Sequence, residues 1–158
     1  MKTAKNKLLV CVDKTEHSKV AVRFASAKAK NLKMAVEFLH VIDSSEYNSN
    51  TLFGVTDKIR DEKRAEAEKL MTALAQEAQN YAGVTPSCMI REGVIGEVVV
   101  KVVKEDSNFN MVIIGKAPQE AKKNDVIAML TSELASKLMI PMTIVPGNLG
   151  DKEIEELV

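Results

Sequence analysis

Five short apolar runs, each separated from the next by a stretch with helical spacing, constrain this chain more than any other feature. They are LLVCV at residues 8–12, MAVEFLHVI at 34–42, VTPSCMI at 84–90, MVII at 111–114 and MTIV at 142–145. LLVCV carries no polar residue at alternate positions, which suits a strand covered on both faces, as in a parallel sheet. MTIV is likewise apolar on both faces. The second run is rich in Val, Phe, Leu and Ile and is followed by polar turn residues, so it reads as a strand. Pro86 in the third run has no N–H for a ladder, which assigns that run to an edge.

The intervening stretches read as helices. Thr15 or Glu16 opens one that runs to about Lys30, with Val20, Ala21, Phe24 and Ala25 on one face. Residues 58–81 are dominated by Ala, Glu, Lys, Gln and Leu, and Ile59, Leu70, Leu74 and Ala78 mark the buried face. A third helix spans 95–107 around Val98, Val99, Val102 and Val103, and a fourth spans 125–139 with Ile127, Leu130, Leu134 and Leu138 as its stripe. Strands alternating with helices specify an α/β domain with a parallel sheet and helices on both faces, and right-handed crossovers leave few arrangements. With 158 residues, one domain over 1–146 and a polar tail over 147–158 are expected. The tail can form one or two amphipathic turns through Ile154, Leu157 and Val158. Residues 43–57 lack periodicity; a loop of that length covers a site or moves, and Tyr47 and Phe53 are its residues able to close over a ligand or a partner.

Composition removes several classes of function. Twenty-two basic residues against 22 acidic ones leave no net charge, which argues against a nucleic-acid binder. No apolar run approaches the roughly 18 residues of a membrane span, and MKTAKNK leads directly into a strand, so a cytoplasmic protein is expected. Cys11 and Cys88 lie within or beside apolar runs without CxxC spacing and read as buried, reduced thiols. His17, beside Glu16 in a helix first turn, reads as a surface or capping residue. His40 reads as a hydrogen-bonded core or edge histidine of the second strand, with a ligand contact as its alternative role. Neither has a third group at a spacing that would complete a triad or a metal set.

The place to look for a ligand is the stretch from Met111 to Ser132, where an apolar strand ends at Gly115 and a basic loop feeds a helix. That arrangement brings backbone N–H groups to an anion. Asp13, a carboxylate at the end of the first strand, is the other candidate, with helix capping as its alternative role. Gly93 and Gly96 form a Gly-x-x-Gly turn before the third helix, read mainly as a turn and cap.

The succession of motifs resembles the universal stress proteins. LLVCVDKTEHSKVAVRFA is similar to the family's opening strand, Ser/Thr-Glu-x-Ser turn and alanine-rich helix; LHVID at 39–43 to its second strand, REG at 91–93 to its third, and MVIIGK at 111–116 to its fourth. The resemblance extends in order to Pro146. It implies a doubly wound five-stranded parallel sheet of order 3-2-1-4-5, of the adenine nucleotide α-hydrolase-like kind. It also implies a homodimer joined through the fifth strands, Met142 to Val145, and an apolar edge such as MTIV is a liability that a partner chain would relieve. Nucleotide-binding members place the adenine amino group on the aspartate matching Asp13 and hold the base at the backbone position matching Val41. Their Gly-x2-Gly-x9-Gly-(Ser/Thr) run falls here on Gly115, Pro118, Ala128 and Met129, so one of its four positions matches.

Pro118 removes an N–H, Ala128 adds a methyl where backbone would approach phosphate, and Met129 replaces a hydroxyl. Lys116, Lys122 and Lys123 lie in the same loop and can supply charge instead. The resemblance thus implies a cytoplasmic stress-response or regulatory protein whose crevice holds ATP or AMP weakly, through Asp13, Lys14, Val41, Gly115 and Lys116. The alternative is a homodimeric interaction or signalling module without nucleotide. No catalytic constellation is present, so an enzyme is not expected, with weak ATP hydrolysis the one activity left open; no cofactor is required.

Overall fold

The computed structural model describes residues 5–44, 55–116 and 134–158. Its elements are β1 (Lys7–Cys11), α1 (Glu16–Leu32), β2 (Ala35–Asp43), α2 (Val55–Ala82), β3 (Ser87–Gly93) and α3 (Ile95–Glu105). β4 (Phe109–Lys116), the single turn α4 (Ala135–Lys137), β5 (Met142–Pro146) and α5 (Asp151–Leu157) follow. The strands form one sheet of order β3-β2-β1-β4-β5, and every pairing is parallel.

Period-2 alternation along β1 divides the core between two faces. Leu8, Val10 and Val12 join one cluster with Phe24, Phe38, Met71 and Leu74 under α1 and α2. Leu9 and Cys11 join the other with Leu39, Val99, Val102 and Ile114 under α3. A strand buried on both faces has no use for polar alternation, which is why LLVCV is continuous.

The helices end where backbone chemistry stops them. Lys33 takes the left-handed conformation at φ 54°, and its N–H closes α1 on the carbonyls of Ala29 and Lys30. Gly83 does the same for α2 at φ 67°, where glycine has no Cβ penalty. α2 starts three residues earlier than its propensity suggests. β3 starts later than expected, at Ser87 rather than Val84, because the ladder can begin only beyond Pro86.

Two sequence expectations change. Cys88 is exposed, not buried, because it stands at the uncovered start of edge strand β3; burial pushes the Cys11 thiol up to about 12, and both cysteines are free. His17 is buried at 9% exposure instead of lying on the surface, because the chain leaving β5 folds over the first turn of α1. The segment after Pro146 takes the amphipathic form open to it, as α5 sends Ile154 into the core at 0% exposure and leaves Leu157 exposed. Most of the helix expected over 125–139 lies outside the described residues. Within them, Leu134 is buried and Leu138 is already extended beyond α4. Tyr47 and Phe53 also lie outside them.

At the amino end of the sheet, away from the strand ends that form the candidate site, Lys7 bonds Asp106 at 2.8 Å and Glu37 at 3.3 Å and lies 5.3 Å from the Phe109 ring centroid. The bond from Lys7 holds the Asp106 carboxyl below its usual range. A folded-state value below the unfolded one stabilises at neutral pH, and the contribution disappears as pH falls through the folded value. Asp106→Asn is therefore expected to destabilise the protein modestly at pH 7, with the gap to wild type closing below about pH 4. Urea denaturation at both pH values measures it; a gap unchanged in acid would sink the assignment.

Candidate functional site

The sheet reverses its winding at β1, whose neighbours β2 and β4 lead away in opposite directions, so the carboxyl end of β1 marks the crevice of an open α/β sheet. A cleft of about 320 Å³ opens there, lined by Asp13, Lys14, His40, Val41, Lys63 and Glu66 among others. It lies between the ends of β1 and β2 and the side of α2. Three residues singled out from sequence, Asp13, Lys14 and Val41, thus meet in one place. Gly115 and Lys116 do not line it.

The two carboxylate oxygens of Asp13 have different surroundings. Oδ1 accepts the Thr15 N–H at 2.8 Å, the Ser18 hydroxyl at 2.9 Å and the Thr15 hydroxyl. The Asp13 N–H in turn donates to Ser18 Oγ at 2.8 Å. Ser18 is 2% exposed, so this turn is internally satisfied. Oδ2 has no partner among the described residues. Oδ1 thus braces the turn into α1, whose N-cap is Thr15 without a side-chain cap bond, and Asp13 lines the cleft beside it.

Backbone groups add a second polar edge. Val12 N–H donates to Leu39 C=O at 2.9 Å, the last bond between the first two strands. Residues two apart on a strand turn their N–H and C=O to the same side, so Val41 also faces β1. It has no partner there among the described residues. Val12 C=O is held instead by His40 Nδ1 at 2.9 Å. Above the cleft Lys14 reaches Glu66 of α2 at 2.6 Å, and this bond lowers the Glu66 carboxyl.

Gly115 has a packing role. A Cβ there would stand 2.4 Å from the backbone oxygen of His17, so the end of β4 supports the first turn of α1 at a separation only glycine allows. Lys116 is exposed, and its carbonyl accepts the Gly147 N–H at 2.8 Å. Pro118, Lys122, Lys123, Ala128 and Met129 lie outside the described residues. Gly93 takes φ 144° to turn the chain into α3, and Gly96 is buried in that helix. A larger cavity of about 580 Å³ lies beside α3 and Lys137, but no strand end reaches it. Among the described residues, no group of three His, Cys, Asp or Glu side chains could hold a metal, and no helix is long and apolar enough to cross a membrane.

Lys63, Glu66 and Ala67 were not found from sequence. Helical spacing marks which face of α2 is buried, but not which strand ends its other residues overlook.

Several solved structures share the fold. The universal stress protein UspA from Lactobacillus plantarum is 17% identical with a TM-score of 0.76, covering 91% of this chain and 99% of that one. A universal stress protein in complex with cAMP is 13% identical with a TM-score of 0.67, covering 90% and 98%. Another from Archaeoglobus fulgidus, in complex with dAMP, is 15% identical with a TM-score of 0.61, covering 90% and 99%. Among curated proteins no sequence match was found. The universal stress protein family matches residues 5–146, from before β1 to the end of β5. Sequence and fold agree over that whole span, and the chain belongs to the universal stress protein family.

Proposed function

We propose that this protein is a cytoplasmic stress-response or regulatory protein that binds an adenine nucleotide at the β1–β2 cleft without turning it over. The observation that carries this reading is Asp13 Oδ2 beside the backbone edge of Val41, neither with a partner among the described residues. A carboxylate oxygen next to a backbone donor and acceptor suits the amino group and ring nitrogen of adenine. The same acceptor would repel the carbonyl of guanine. Lys14, which lines the same cleft and bonds Glu66, is the cation that would turn to a phosphate, and Gly115 and Lys116 close the neighbouring strand end. Two structural relatives are complexes with adenine nucleotides, cAMP and dAMP, which supports the base class. Binding is expected to be weak, since three of the four positions of the family's phosphate run are changed.

Saturating AMP, ATP or cyclic AMP is expected to raise the melting midpoint by about 5–10 °C, since a ligand at roughly 100 times its Kd adds about 2.7 kcal/mol. Guanosine nucleotides are expected to leave it unchanged. Asp13→Asn keeps Oδ1 for Thr15 and Ser18 but turns Oδ2 into a donor. It is expected to weaken AMP binding about 10- to 100-fold while the ligand-free midpoint stays within about 2 °C of wild type. Equal affinity in wild type and Asp13→Asn would remove Asp13 from the site.

The second reading is a homodimeric interaction module joined along β5, with no nucleotide. It is favoured by Ile144, 37% exposed on the sheet-edge strand, and by Met139, 88% exposed just before it. Unchanged midpoints with all three nucleotides, together with a dimer mass by sedimentation, would select it.

A further inference from the structure

We propose that His40 is the positioning residue of this cleft: it stops the β1–β2 ladder one bond short, leaving the Val41 backbone edge open, and presents its second ring nitrogen to an anionic ligand. This rests on the nucleotide reading above.

A carbonyl oxygen only accepts, so the 2.9 Å contact with Val12 C=O requires the proton to be on Nδ1. In a continuing parallel ladder that oxygen would receive the next bond, from Val41 N–H. The imidazole takes it first, and the strands part just before Asp13. His40 thereby fixes the peptide that carries Asp13, and it leaves the N–H and C=O of Val41 for a ligand.

With Nδ1 committed, the neutral ring has a bare acceptor at Nε2. The buried side-chain nitrogens and oxygens without a partner among the described residues are Ser26 Oγ and Tyr81 OH. Nε2 bonds no described residue, and His40 is among the residues that line the cleft. The charged groups around it are Asp13 and Lys14 from the β1–α1 turn, Asp43 from β2, and Lys63 and Glu66 from α2. The Arg60–Glu92 pair joins α2 to β3 nearby. Among the described residues three carboxylates therefore face two lysines within the cleft, an excess of one negative charge for an anion to meet. Protonation of His40 removes that excess and adds an N–H donor without breaking the bond to Val12.

Cyclic AMP is the probe, because its phosphodiester keeps one charge throughout pH 5.5–8, and adenosine is its uncharged control. For wild type, cyclic AMP affinity is expected to rise roughly three- to tenfold from pH 8 to 5.5, with adenosine flat. His40→Asn retains a donor for Val12 and is expected to match wild type at pH 8 within about threefold but to lose the pH dependence. His40→Phe retains neither function and is expected to lose at least about tenfold at both pH values. The same pH slope in His40→Asn, or wild-type affinity in His40→Phe, would overturn the proposal. A ligand-free measurement separates it from the reading beneath it. The nitrogen NMR shifts of His40 at pH 8 are expected to show the Nδ1–H tautomer, and an Nε2–H tautomer overturns the ladder stop whatever binds. If wild type binds neither compound at any pH, the nucleotide reading and the ligand contact both fall, while the tautomer still decides the ladder stop.

Discussion

Gly115→Ala is expected to destabilise the protein by about 3 kcal/mol and lower its melting midpoint by roughly 6–12 °C. The added Cβ would stand 2.4 Å from the oxygen and 2.9 Å from the carbon of the His17 carbonyl. Both are backbone atoms of the first turn of α1, so no rotamer change relieves the clash. Gly147 holds His17 from the other side, where a Cβ would stand 2.5 Å from the His17 Cβ. With the residue held between two glycines, the helix can escape only by lifting its first turn. That would pull Thr15 and Ser18 from Asp13, so on the nucleotide reading proposed above the affinity of the cleft is expected to fall together with stability. Gly83→Ala is the control: it meets nothing within 4 Å and carries only the cost of φ 67°, about 1 kcal/mol. Equal midpoints for the two variants would show that β4 and α1 do not approach this closely.

Ile154→Ala is expected to cost about 2–4 kcal/mol by chemical denaturation, the range for removing buried methyl groups and leaving a cavity. Ile154 is fully buried among the residues under α1 and α2, whereas Leu157 on the same short helix is 60% exposed. Seven residues make too short a helix to persist alone, so α5 exists through its docking. Arg23 lies 3.6 Å from Asp151, the Asn31 side chain donates to the Val158 carbonyl at 3.2 Å, and Glu153 accepts the Gly150 N–H. Leu157→Ala should change stability by less than about 0.5 kcal/mol. Similar losses for both variants would mean that the helix does not pack through Ile154.

The two expected results concern segments whose importance was unevenly legible. Gly115 drew attention as the end of a strand before a basic loop, but its neighbour could not be guessed. Nothing local in LHVID or DKTEHS indicates that His17 lies under β4, or that His40 reaches across to Val12. Asp13 was legible as a strand-end carboxylate, with capping and ligand contact as competing roles. In three dimensions Oδ1 is taken up by Thr15 and Ser18 of the turn into α1, and the same carboxylate lines the cleft. An apolar neighbourhood signals burial only where the strand is covered, and the start of β3, where Cys88 stands exposed, is not.

What the amino-acid order determined by itself was the alternation of strand and helix, and with it the parallel sheet, because hydrophobic period and breaker residues act over a few neighbours. The strand order entered through the family resemblance, and the sheet bears it out. Only the tertiary structure decided which side chains face one another across the crevice: α2 brings Lys63 and Glu66 to the end of β1, and the chain after β5 buries His17 and docks Ile154. Those contacts join residues far apart in sequence. They form through packing geometry, which no local period encodes.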